Sequence, residues 1–91
     1  MQLAKAQLEI LDAWEWYEEK QAGLGDRFKQ ALAEKIKLIQ ENPLHYPVKG
    51  KYREAKTDTF TFLIVFKFNK RDKIIYIISV FHTSRHHKKK H

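Results

Sequence analysis

The chain has 91 residues, room for one domain and little chance of a second core, since folding at this size buries roughly 60–70% of the unfolded surface. Its 18 Lys and Arg against 11 Asp and Glu give a net charge of +7, which favours nucleic acid, an acidic protein segment or a ribonucleoprotein as partner. The absence of cysteine excludes disulfides and thiolate chemistry, and no apolar run approaches the roughly 20 residues that cross a bilayer. No basic segment followed by an apolar signal core opens the chain, so a cytoplasmic protein with no membrane association is expected.

From about residue 3 to 20, Leu3, Ala6, Ile10, Ala13 or Trp14 and Tyr17 recur at the three-and-four spacing of one helix face. Trp14 is assigned to the core by this spacing, and Trp16 to a partly exposed position. Gly23 and Gly25 permit a reversal after this helix, and a second helix is predicted over about 25–41. Asp26 suits the positive end of its dipole, and Phe28, Leu32, Ile36 and Ile39 carry its apolar stripe. Asn42 and Pro43 stop it.

Three strands are predicted to follow, at about 51–58, 60–68 and 73–82, with a polar turn from Asn69 to Asp72 between the last two. Short connections make them an antiparallel meander, so the expected fold class is α+β, an αα-hairpin packed on one face of a three-stranded sheet. Both hairpin strands are apolar on two faces. Phe62, Ile64, Phe66 and Phe68 alternate with Leu63 and Val65, and Ile74, Tyr76, Ile78 and Val80 with Ile75, Ile77 and Phe81. Two helices cover one face of a sheet, so the other is expected to present an apolar patch, with Leu63, Val65, Ile75, Ile77 and Phe81 as the residues that receive a partner segment.

The chain then ends in a dense cluster of imidazoles and cations. His82 lies at the end of the last strand, and Arg85, His86, His87, Lys88, Lys89 and Lys90 follow within a basic tail over 83–91. Histidine titrates near neutral pH, and Arg and Lys hold fixed charge for phosphates or carboxylates. Such a cluster suits acid/base chemistry or an anionic partner. The plainer reading is a hydrogen-bonding histidine followed by a solvated tail with salt-dependent affinity for polyanions. His86, His87 and His91 lack rigid spacing and a carboxylate partner, so neither a metal nor any cofactor is expected.

Read in order, Gly23 to Phe28, Glu41 to Pro47, Arg53 in a polar strand and Val80 to Arg85 resemble the RelE/ParE toxin superfamily of plasmid-stabilisation proteins. The resemblance spans nearly the whole chain as a single toxin domain. It implies the toxin half of a type II toxin–antitoxin pair, with a cognate antitoxin laid on the uncovered sheet face. Family members usually begin with a strand ahead of the first helix, whereas this sequence starts in helical register. An unpaired sheet edge follows, and with it the expectation of a homodimer through that edge; a start codon assigned too far downstream is the alternative.

Two activities share the scaffold. RelE-like members resemble ribosome-dependent mRNA endonucleases, metal-independent enzymes in which the RNA 2′-hydroxyl attacks the neighbouring phosphate. That reaction needs a proton acceptor, a donor and cations about the phosphorus. On that branch His82 is the acid or base, Arg53 and Arg85 clamp the phosphate, and Lys56 assists. ParE-like members resemble inhibitors of DNA gyrase that bind without chemistry of their own. On that branch Lys56, His86, His87 and Lys88 to Lys90 are target-binding residues. The Gly23 to Phe28 turn and the His82 to Arg85 ending look closer to ParE, and the chain lacks the C-terminal tyrosine and the dense lysine and arginine strand face of the nucleases. The favoured expectation is therefore a ParE-like toxin, with the nuclease and an inactive antitoxin-binding module as alternatives.

Overall fold

A computed structural model describes residues 2–57 and 59–82, with His82 described in its backbone alone. Helix α1 spans Ala4–Lys20 and α2 Leu24–Glu41, followed by a 3-10 turn at Pro43–His45. The strands are β1 Val48–Lys49, β2 Tyr52–Lys56, β3 Phe62–Asn69 and β4 Ile74–His82. They form one antiparallel sheet in the order β1-β2-β3-β4. Both helices and all three expected strands are present. The sheet has four strands rather than three, because Val48 and Lys49 fold back on Arg53 and Tyr52. Gly50, at φ 63°, opens the two-residue loop of that hairpin, where a positive φ is required.

The turn between the helices shows why its residues are small. Gly23 caps α2 in the left-handed conformation at φ 87°. Gly25 is buried where the helices meet, and a Cβ there would lie 2.7 Å from the Trp14 carbonyl oxygen. No real side chain tolerates that approach. Trp14 is half-buried at this junction, its indole N–H donating to Asp26 at 3.0 Å, rather than in the core as its spacing suggested. Its partner sits on the other helix, outside the reach of a single-helix pattern. Trp16 is half-buried against the core, with the Lys20 ammonium 4.8 Å from its ring centre.

The core lies between the helix pair and one face of the sheet. Ala6, Ile10, Ala13 and Tyr17 of α1 and Phe28, Leu32 and Ile39 of α2 meet Ala55, Phe62, Ile64, Phe66, Ile75, Ile77 and Val80. Each large side chain among them contributes about 1.5–3 kcal/mol by leaving water. Tyr17, Phe28, Phe60 and Phe62 form an aromatic knot with ring centres 5.0–6.0 Å apart. The buried Tyr17 hydroxyl donates to the Phe60 carbonyl at 2.8 Å, and burial pushes its pKa up to about 12.

Strict alternation fails in β4. Phe66 faces Ile77 while Val65 faces Ser79, so Ile78 is an extra residue on β4. Such a bulge reverses the alternation that follows it. Ile75, Ile77 and Val80 consequently share the core face, and Phe81 stands opposite Leu63 on the other.

The outer edge of β4 is not bare. Gln2 makes a parallel bridge to Ile77, and the Leu3 N–H donates to the Ile77 carbonyl at 3.1 Å. Further along, one oxygen of Glu9 accepts both the Ser79 hydroxyl at 2.8 Å and the Val80 N–H at 3.0 Å. The bare edge on which the homodimer expectation rested is thus occupied at Ile77 and at Val80 by the start of the chain and by α1.

Candidate functional site

The face of the sheet turned away from the helices carries the candidate surface. Leu63 and Val65 of β3 and Tyr76, Ile78 and Phe81 of β4 are half-buried, and Glu54 and Lys56 of β2 stand opposite Val65 and Leu63. These positions are apolar because both hairpin strands carry β-branched and aromatic residues on two faces while two helices cover only one. Toward β1 the face opens into a hollow of about 560 Å³ lined by Tyr46, Pro47, Lys49, Glu54, Lys56 and Leu63. Two ammonium groups outweigh the Glu54 carboxylate beside an apolar floor, a surface that fits a partner segment mixing carboxylates with apolar side chains.

Of the five residues expected to receive a partner segment, Leu63, Val65 and Phe81 lie on this face. Ile75 and Ile77 do not. They are 7% and 1% exposed, sealed in the core against the helices. The bulge explains the error: an uninterrupted alternation puts Ile75, Ile77 and Phe81 on one side, and the extra residue separates Phe81 from the other two. Tyr76 and Ile78 take up the outer side.

Of the residues grouped for phosphate chemistry, Arg53, Lys56 and the backbone of His82 are described. Arg53 is half-buried opposite Phe66, on the same face as Ala55, and its guanidinium donates to the Tyr46 carbonyl at 2.7 Å. Lys56 is exposed and belongs to the opposite face, beside Leu63. The backbone of His82 lies opposite Phe62, four residues along β3 from the partner of Arg53 and two strands away from it. Standard strand dimensions put the two backbone positions roughly 16 Å apart. A proton-transfer group and a charge clamp on one phosphate each need to stand within about 3 Å of it, and the Arg53 guanidinium is engaged with the Tyr46 carbonyl instead. Arg85, His86, His87, Lys88, Lys89 and Lys90 fall outside the described residues.

Some contributors escape sequence reasoning. Lys49 borders the hollow from a strand of two residues, too short to leave a periodic signal. Tyr46 packs on Phe66 at 5.8 Å between ring centres and has the Lys35 ammonium 5.2 Å from its own, so it supports the rim from beneath. Glu9 reads as one more charge on the solvent side of a helix, and its partners lie 70 and 71 residues away.

No helix among the described residues is long and apolar enough to cross a membrane. A search of curated proteins returns no relative. The chain matches the family of the ParE toxin of type II toxin–antitoxin systems, parDE, over residues 2–87. Two helices followed by an antiparallel sheet accord with that match, and with nearly its whole length aligned the chain belongs to the ParE toxin family, within the RelE/ParE superfamily.

Proposed function

We propose that this chain is a ParE-like toxin that acts in the cytoplasm by binding a protein target, DNA gyrase being the expected one, and that a cognate antitoxin neutralises it by covering the outer face of the sheet. The observation that carries this reading is the half-buried apolar strip of Leu63, Val65, Tyr76, Ile78 and Phe81, continuous with a hollow flanked by Lys49 and Lys56. An acidic, amphipathic antitoxin segment matches both parts of that surface. The basic residues His86, His87 and Lys88 to Lys90 are assigned to the target. The net charge of +7 supports that assignment through attraction to acidic surfaces.

Binding is preferred to cleavage because the Arg53 guanidinium is engaged with the Tyr46 carbonyl. The decisive experiment is DNA supercoiling by purified gyrase in the presence of the chain. Inhibition that is relieved by the product of a neighbouring short reading frame is expected. Unchanged supercoiling at micromolar excess rejects gyrase as the target, and codon-positioned cuts in mRNA on translating ribosomes return the nuclease reading.

A further inference from the structure

We propose that Glu9 is a positioning residue that locks the bulged register of β4 and thereby fixes Phe81 on the outer face of the sheet. The proposal rests on the reading that this face receives a partner, but the lock itself is a property of the free chain. Its basis is the geometry around Ile78. With Ile78 as the extra residue, Ser79 stands opposite Val65, Val80 opposite Ile64 in the core, and Phe81 opposite Leu63 outside.

A second register is available to the same strand. Without the bulge, Ile78 would face Val65, Ser79 would face the buried Ile64, Val80 would swing out beside Leu63, and Phe81 would turn in opposite Phe62. A slip of one residue exchanges the two faces of every position beyond it. Burying Phe81 instead of Val80 would remove more apolar area from water, while placing the Ser79 hydroxyl in the core would cost an unpaired polar group. These effects oppose each other, so apolar pattern alone leaves the choice weakly decided.

Glu9 breaks the balance. Its Oε1 accepts from the Ser79 hydroxyl at 2.8 Å and from the Val80 N–H at 3.0 Å, two of the residues that change faces between the registers. Ser79 is 8% exposed and Glu9 is half-buried, so the contacts are shielded from competing water. A carboxylate acceptor also makes each bond stronger than a neutral pair. In the slipped register the Val80 N–H would turn toward β3 and be lost to that oxygen.

The chain has no cysteine, which allows single thiols to report on each face. Val80→Cys and, as a control in the core of β2, Ala55→Cys are made with Glu9 intact, with Glu9→Ala and with Glu9→Gln, and reaction with an aromatic disulfide reagent is timed. Both thiols are expected to be protected while Glu9 is present. Glu9→Ala is expected to raise the labelling rate at Val80→Cys at least tenfold and to leave Ala55→Cys protected. Glu9→Gln, which keeps an oxygen acceptor, restores protection. Equal protection of Val80→Cys with and without Glu9 overturns the proposal. So does a parallel rise at Ala55→Cys, which would make Glu9 a general stabiliser. Because the assay needs no partner, a chain that proves non-toxic would defeat the proposed function without touching this result.

Discussion

The carboxylate of Glu18 accepts the backbone N–H of Gly25 at 2.9 Å, so that the end of α1 holds the beginning of α2. Its second oxygen accepts from Gly23 at 3.2 Å. Helix starts leave N–H groups without partners, and α2 has no cap from its own N-terminal side chain. A neighbouring helix supplies one instead. The close approach this demands is possible because Gly25 has no Cβ: one placed there would meet the Glu18 side chain at 2.7 Å and the Trp14 ring at 2.8 Å.

Gly25→Ala is therefore expected to destabilise the fold by about 1–3 kcal/mol, the usual range for overpacking a tight contact. Glu18→Ala, which removes the cap but leaves space, is expected to cost about 0.5–2 kcal/mol. Urea unfolding followed by circular dichroism measures both. A neutral Gly25→Ala would show that the two helices can separate without loss.

Arg53 gives a direct test of role. If its guanidinium serves the Tyr46 carbonyl, Arg53→Met keeps the aliphatic stem, loses the 2.7 Å bond and costs about 1.5–3 kcal/mol, in the range for hydrogen bonds to charged groups. RNA binding by the native and variant chains, compared at one salt concentration, should then change little. Unchanged stability together with weakened RNA binding would return Arg53 to the phosphate clamp.

On the outer face, Leu63→Lys and Val65→Lys are expected to leave the thermal midpoint within a few degrees of the native value, because neither residue belongs to the core. Both should abolish copurification with the product of the adjacent short reading frame. Ile77→Lys serves as the contrast: it buries an unpaired ammonium at a position 1% exposed and should prevent folding altogether. Retention of the partner by both outer-face variants would place the antitoxin elsewhere.

Alkaline pH should expose the Tyr17 hydroxyl. Its folded pKa of about 12 exceeds the ordinary value of 10.0 because burial penalises the phenolate. Above pH 10 the unfolded chain releases this proton and the folded chain keeps it, so stability present below pH 10 is lost as pH rises toward 12, by about 2–3 kcal/mol. Tyr17→Phe should abolish this part of the slope. It should also cost about 1 kcal/mol at neutral pH, where the Phe60 carbonyl loses its donor. Parallel pH profiles for the two chains would contradict the assignment.

Local pattern carried much of the architecture into the sequence. The stripe from Ala6 to Tyr17 and that from Phe28 to Ile39 are periodic, and the hairpin is marked by β-branched and aromatic runs on either side of Asn69, whose side chain accepts the N–H groups of Arg71 and Asp72 to form the turn. What escaped depends on contacts between distant segments. The bulge at Ile78 is bound up with Glu9, the site of Trp14 with Asp26, and the orientation of Arg53 with Tyr46. The candidate surface was legible at Leu63, Val65 and Phe81 and misread at Ile75 and Ile77, because a period of two does not announce where it is interrupted.

The bond from Glu9 to Val80 also sets an order of events during synthesis. At the usual 5–20 residues per second, roughly 4–14 s separate the emergence of these two positions from the ribosome. Until then α1 has neither the edge of β4 to dock on nor a finished floor beneath it. The nascent chain therefore passes most of its translation without a complete outer sheet face, and that face matures together with β4.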